Sequence, residues 1–357
     1  MIVIMCIGII LAIIIVAFGI ELMIAALYPG VSVPKQHLEK IPGLVREKNI
    51  NRLETRKDVN FDVKGTTVSG WLFLPEGLSS PVPCIVMGHG LGGTKNMGLD
   101  SYATRFQEAG IAVLAFDYRY TGESGGNPRQ LIWIPSQLED YAAAINYVRS
   151  LKEIDAARIA LWGTSLSGGH VLVTAAKDNK IACVAAQCPL LDGTAAAEEL
   201  VHRVGMKHIF RMAGHAQRDL VRSWLGLSPY KIPLVGKPGT VALMADTDAW
   251  NTFSQLAPDD FVNEACARIG IRMDKYRPIN HIAKIRCPVL LQACDQDIAL
   301  PMNVVKKAGE RLGQLAQVIH YPIGHFDIYL GENFEKAVDD QVAFFEKHLL
   351  NKSSFPH

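Results

Sequence analysis

Three residue types that together can move an acyl group stand in this chain in the order Ser165, Asp297, His325. Ser165 lies in Gly163-Thr164-Ser165-Leu166-Ser167-Gly168-Gly169, directly after the apolar run Ile159-Ala160-Leu161-Trp162. A Gly-x-Ser-x-Gly turn between a buried strand and a helix presents the serine hydroxyl on a sharp, strained bend. Crowding at such a bend admits only small residues two positions to either side. Ser167 stands in the last glycine's place and is small enough, with Gly168 and Gly169 directly behind it. A serine hydroxyl is a weak nucleophile near neutral pH and needs a base held against it.

The acid that orients such a base is expected just past a strand, a few residues before the proline that opens the next helix. Asp297 fits, after Val289-Leu290-Leu291-Gln292 and ahead of Pro301, whereas Asp295 comes too early and reads as a residue that bonds the loop. Among eleven histidines, His325 stands out because it follows the final strand and is preceded by Gly324. His320 falls inside that strand and reads as core or surface. The oxyanion formed on attack needs backbone amides. The amide after the nucleophile, Leu166, supplies one. Leu91 supplies the other, from Gly88-His89-Gly90-Leu91-Gly92-Gly93, with His89, Gly90 and Gly163 as supporting loop positions.

The same loop admits a rival reading. Gly88-x-Gly90-x-x-Gly93 matches a dinucleotide-binding fingerprint, and Asp117 ends the next strand about where a ribose-binding acid lies. Two strands precede the loop, however, so it is not the first strand-to-helix turn of such a domain. That reading also leaves Ser165, Asp297 and His325 unexplained. A phosphate loop of the Walker type is excluded, because Gly93-Thr94-Lys95 has the wrong order.

These residues need a scaffold. Val59, Phe61 and Val63, then Val68, Trp71 and Phe73, alternate as two strands joined at Gly65. From Cys84 to about residue 190, continuous apolar runs alternate with stretches of helical spacing, which predicts a parallel sheet with crossover helices. The alternation breaks over 193–278 and then resumes. An α/β core is therefore predicted in two parts, 58–192 and 279–350, with a mostly helical cap inserted between them and a short tail at 351–357. Phe210, Trp224, Trp250, Phe253 and Phe261 in the insert hint at an apolar substrate pocket.

Charged residues make up 20% of the chain and the formal net charge is +1, which gives a nucleic-acid partner no basic footprint. Seven scattered cysteines without a Cys-x-x-Cys pair read as reduced core thiols. Residues 1–28 are apolar apart from Glu21 and long enough to span a bilayer. They lack a basic start and a cleavage site, so a single-pass anchor is expected over an uncleaved export signal. A polar linker at 29–57 follows. Its Lys35, Lys40, Arg46 and Lys48 place the catalytic domain on the cytoplasmic side by the positive-inside rule.

His89-Gly90, Phe116-Asp117-Tyr118-Arg119, the Ser165 turn and Gly324-His325-Phe326 resemble the α/β-hydrolase superfamily, over roughly residues 55 to 350. The likeness is to its dienelactone-hydrolase-like and Xaa-Pro-peptidase-like branch. The resemblance implies an eight-stranded, mostly parallel sheet, a lid over the site, and no metal or organic cofactor. True dienelactone hydrolases carry cysteine where this chain has Ser165, so their substrate does not carry over. The reading is a serine hydrolase acting on a carboxylic ester of apolar or lipid-like acyl character, with a small-molecule acyl substrate and the membrane as its partners. A thioesterase, acyltransferase or peptidase would use the same triad. A nucleotide-binding oxidoreductase and a catalytically idle, membrane-tethered binding module are the readings of another class.

Overall fold

The computed structural model describes residues 2–27, 33, 35, 37, 38, 56–77 and 81–350, so most of the linker expected at 29–57 and the tail at 351–357 lie outside the described residues. Helix α1 (Ile2–Leu27) is followed by β1 (Arg56–Val63) and β2 (Thr66–Phe73), an antiparallel pair that turns at Lys64 and Gly65, both at positive φ. β1 thus begins inside the stretch expected as linker. Then come β3 (Val82–Gly88), α2 (Leu99–Glu108), β4 (Ala112–Phe116), α3 (Ile134–Arg149), β5 (Ile154–Thr164), α4 (Leu166–Ala175) and β6 (Ile181–Gln187). Pro135 lies in the first turn of α3, where a proline is tolerated because the amide there has no intrahelical partner.

The inserted segment is mainly helical, with four short strands that the sequence does not announce. It holds α5 (Gly193–Trp224), β7 (Lys231–Ile232), β8 (Val235–Gly236), β9 (Met244–Ala245), α6 (Thr247–Leu256), β10 (Ala265–Cys266) and short 3₁₀ turns between 267 and 284. Pro233, Pro238 and the glycines among them break helical spacing there and leave two-residue strands pairing β7 with β10 and β8 with β9. Asp192 and Asp246 cap α5 and α6 by accepting from backbone amides in the first turns. The core closes with β11 (Val289–Cys294), α7 (Met302–Leu312), β12 (Ala316–Tyr321) and α8 (Gly331–Phe345).

The main sheet has eight strands in the order β1-β2-β4-β3-β5-β6-β11-β12, parallel from β4 to β12 and antiparallel at the β1 and β2 edge. Its central strands are buried on both faces, as parallel strands under helices must be. Val86, Leu114, Leu161 and Leu291 face the α3, α4 and α7 side. Ile85, Val113, Trp162 and Leu290 face the α2 and α8 side. At the carboxyl ends of β5, β6 and β11, Trp162, Gln187 and Gln292 are tied to Gln341 of α8 by buried hydrogen bonds. That network fixes the strand ends on which the site is built, because each buried polar group there has a partner.

Candidate active site

The chain turns sharply from β5 into α4 at Ser165, whose backbone sits at φ 55° and ψ −117°. A non-glycine residue holds such a conformation only where its surroundings impose it. Ser165 N–H donates to Gln187 C=O at 2.9 Å, and Ser165 C=O accepts from Leu190 N–H at 2.8 Å. A Cβ on Gly163 would lie 2.2 Å from the Ser167 carbonyl oxygen, so the small-residue rule of the turn is a packing fact here. Ser167 is fully buried, and its hydroxyl contacts Tyr118 Oη at 2.5 Å and donates to His89 C=O. The serine thus uses the glycine's place to tie the elbow to the β3 loop.

His325 Nε2 lies 3.2 Å from Ser165 Oγ, and His325 Nδ1 lies 2.5 Å from Asp297 Oδ2. Asp297 Oδ1 accepts from the amides of Ala299 and Leu300 at 2.8 and 2.9 Å, which locks the carboxylate's rotation. The side chains of His325 and Asp297 are both buried. Burial alone disfavours the His325 imidazolium, but the Asp297 carboxylate, joined by the Cys188 sulfur in its ionised form, outweighs it and holds the imidazole pKa well above its ordinary value. Asp295 instead pairs with His320 at 2.7 Å on the surface, so both residues set aside in the sequence lie off the site together.

Leu166 opens α4, where a helix leaves its first amides without intrahelical partners. Gly90 approaches so closely that a Cβ there would lie 3.2 Å from Ser165 Cβ, and Leu91 follows it along the same cavity wall. His89 Nδ1 lies 3.0 Å from Gly90 C=O. Burial pushes the His89 pKa below its ordinary value despite the nearby Asp117 charge, which fits a neutral supporting ring. The loop does not fit a dinucleotide. A Cβ on Gly88 would lie 2.5 Å from the hydroxyls of Tyr118 and Tyr141, so that glycine makes room for aromatic rings. Asp117 is buried against Lys95 Nζ at 2.8 Å, and α2 begins only at Leu99. Among the described residues no group of His, Cys, Asp and Glu is arranged to hold a metal ion.

A cavity of about 80 Å³ opens onto Ser165 and His325, walled by Leu91, Met97, Tyr102 and Trp162 from the core and by Met244, Phe253 and Leu256 from the inserted segment. Of the five aromatic residues singled out in the insert, Phe253 alone lines it. Trp250 packs in the core beneath, Phe210 and Trp224 are exposed, and Phe261 lines a different cavity. Sequence reading missed Thr164, Cys188 and Tyr329, which lie together beside His325: Tyr329 Oη is 2.6 Å from Thr164 Oγ1 and 3.4 Å from Cys188 Sγ. The one sequence cue was position, since Cys188 is the first residue past β6 and Tyr329 follows His325 by one helical turn.

Residues 72–237 match the family described as BD-FAE. The chain is 40% identical over 303 residues to the quorum-quenching protein AidA of Acinetobacter baumannii (strain MDR-ZJ06), covering 84% of this chain and 98% of that one. It belongs to the α/β-hydrolase superfamily. The superfamily likeness extends to the thiohydrolase aneE of Aspergillus aculeatus (strain ATCC 16872 / CBS 172.66 / WB 5094), at 28% identity over 85% of this chain and 96% of the relative. Among solved structures, the α/β-hydrolase GrgF from Penicillium sp. sh18 superposes with a TM-score of 0.70 at 25% identity, over 83% of this chain and 99% of that one. A hypothetical protein of Pseudomonas aeruginosa, PA2218, shares the fold at a TM-score of 0.72 and 21% identity, over 88% and 100%. Within the superfamily the chain is a hydrolase-type enzyme.

Proposed function

We propose that the chain is a serine hydrolase that cleaves esters or thioesters of apolar acyl groups, with Ser165 as nucleophile, His325 as base and Asp297 as the group that orients it. The observation that carries the reading is the unbroken contact from Ser165 Oγ through His325 to Asp297. In the proposed reaction His325 Nε2 takes the Ser165 proton as Oγ bonds to the acyl carbon. The amides of Leu91 and Leu166 hold the oxyanion. The proton then passes to the leaving oxygen or sulfur, the acyl–leaving-group bond breaks, and water repeats the sequence to free the acid.

The cavity wall supports an apolar acyl group, because its lining is almost wholly hydrophobic. Residues 193–278 act as a cap in this reading, since Met244, Phe253 and Leu256 close the wall opposite the elbow. The thiohydrolase name of one relative adds thioesters to the candidate substrates. α1 is long and apolar enough to cross a membrane, and we read it as the anchor of a catalytic domain on the cytoplasmic side.

Purified protein is expected to label with a fluorescent fluorophosphonate and to hydrolyse p-nitrophenyl esters and acyl thioesters, with both activities lost in Ser165→Ala. Turnover should fall by about 10⁶ in that variant, as triad members act as a unit. Wild-type protein that neither labels nor hydrolyses any acyl compound would overturn the reading.

A further inference from the structure

The cap carries an apolar stripe that faces away from the core. Outside α1, the large apolar side chains that stand exposed among the described residues are, with the exception of Ile298, all in the inserted segment. Five lie on α5 and the turn that ends it: Met206 is 51% exposed, Phe210 69%, Trp224 61%, Leu225 48% and Leu227 39%. On the helix, Met206, Phe210, Ala213, Gln217, Leu220 and Trp224 follow one another at steps of four and three, which is one face of an α-helix. Gly205, at φ 76° and ψ 157°, breaks α5 just before the stripe begins.

Two observations say what covers this face. First, Gln217 in the middle of the stripe donates its side-chain amide to the Glu21 carboxylate of α1. Glu21 stands near the carboxyl end of Cys6–Ile24, the stretch long and apolar enough to cross a membrane. At 1.5 Å per residue it lies about 5 Å from that end, at headgroup depth. The stripe therefore meets α1 where α1 leaves the hydrocarbon. Second, α5 holds Arg203, Lys207, Arg211 and Arg218 between Leu200 and Arg218, with no aspartate or glutamate among them. Apolar stripes flanked by basic side chains lie in the plane of an anionic membrane surface.

We infer that the outer face of α5 from Met206 to Trp224 docks into the headgroup layer of the bilayer that α1 crosses, and that this leaflet is anionic. The inference rests on α1 spanning the membrane and is independent of the chemistry at Ser165. It sets the cap, which walls the acyl cavity, on the lipid surface.

The test uses the full chain reconstituted into bilayers of phosphatidylcholine alone or mixed with phosphatidylglycerol, part of it brominated along the acyl chains. Tryptophan fluorescence of the wild type should be quenched more strongly than that of Trp224→Phe, and the difference should be greater with phosphatidylglycerol. Lys207→Glu combined with Arg211→Glu should remove that extra quenching while circular dichroism stays unchanged. If the charge-reversed protein fails to fold, amide hydrogen exchange of wild-type residues 206–224 decides, with slower exchange expected in the anionic bilayer. Equal quenching of wild type and Trp224→Phe would overturn the inference, as would cross-linking that shows the stripe buried against a second copy. Release of the chain from bilayers by alkaline carbonate would overturn it as well, because α1 would then not be spanning.

Discussion

The elbow around Ser165 and the inserted segment at 193–278, the cap of the proposed reading, are built on opposite principles. At the elbow, a strained backbone is held by paired amides, a fully buried Ser167 and glycines that tolerate no added carbon. In the cap, one long helix is broken at Gly205, four strands are two residues long, and apolar side chains stand in the open. In the proposed reading the contrast separates two tasks. Positioning a nucleophile needs a scaffold with a single arrangement, whereas shaping a pocket and meeting a surface need only a few side chains on a tolerant frame.

Asp297→Asn should break the positioning side of the contrast most severely after Ser165 itself. Turnover should fall by about 10⁴, as the imidazole loses the partner that sets its tautomer. The same variant reports on charge. Burial works against protonation of His325, but Asp297 and Cys188 raise its pKa above the ordinary 6.5, and the base works only when neutral. Wild-type kcat/KM should therefore rise with pH along a limb lying above pH 6.5, and that limb should move to lower pH in Asp297→Asn. A limb that stays in place would show that Asp297 does not govern the imidazole. The linkage to stability has the same origin. The folded pKa exceeds the unfolded one, so the pair's stabilisation is present at acid pH and is lost as pH rises through the folded value.

Paired glycine substitutions sharpen the comparison in denaturant unfolding. Gly163→Ala forces a carbon within 2.2 Å of the Ser167 carbonyl oxygen and should cost about 3 kcal/mol with loss of activity. Gly214→Ala, on the exposed face of α5 with nothing within 4 Å, should instead stabilise by about 0.5–1 kcal/mol. Equal effects at the two sites would erase the distinction.

Leu256→Ala enlarges the cap side of the cavity. The ratio of kcat/KM for longer over shorter acyl esters should rise roughly tenfold. A profile over ester chain length checks it, and an unchanged profile would move the acyl site elsewhere. The smallest effect is expected at Asp295→Asn. Its exposed contact with His320 is worth less than about 1 kcal/mol, and ester turnover should match wild type.

The parallel sheet was legible in the sequence, and so was the placing of Ser165, Asp297 and His325 on loops that the fold brings into contact, because each depends on local signals. Buried strands read as unbroken apolar runs, and the Ser165 turn needs small residues at fixed offsets. The helices of the inserted segment follow from its spacing, but its two-residue strands do not, since they are held by pairing with other segments and have no period of their own. Its aromatic residues were equally opaque. Phe253 and Phe210 look alike in sequence, yet one walls the cavity and the other stands in the open.

By itself the sequence determined which residues could serve as nucleophile, base and acid, and that each would follow a strand of the sheet. Chain order and local periodicity carry that information. Only the tertiary structure decided that Cys188 and Tyr329 sit beside His325, that Asp295 turns outward to His320, and that α5 lies against α1. Those outcomes depend on contacts between segments far apart in the chain, and no local pattern records which distant surface a side chain will meet.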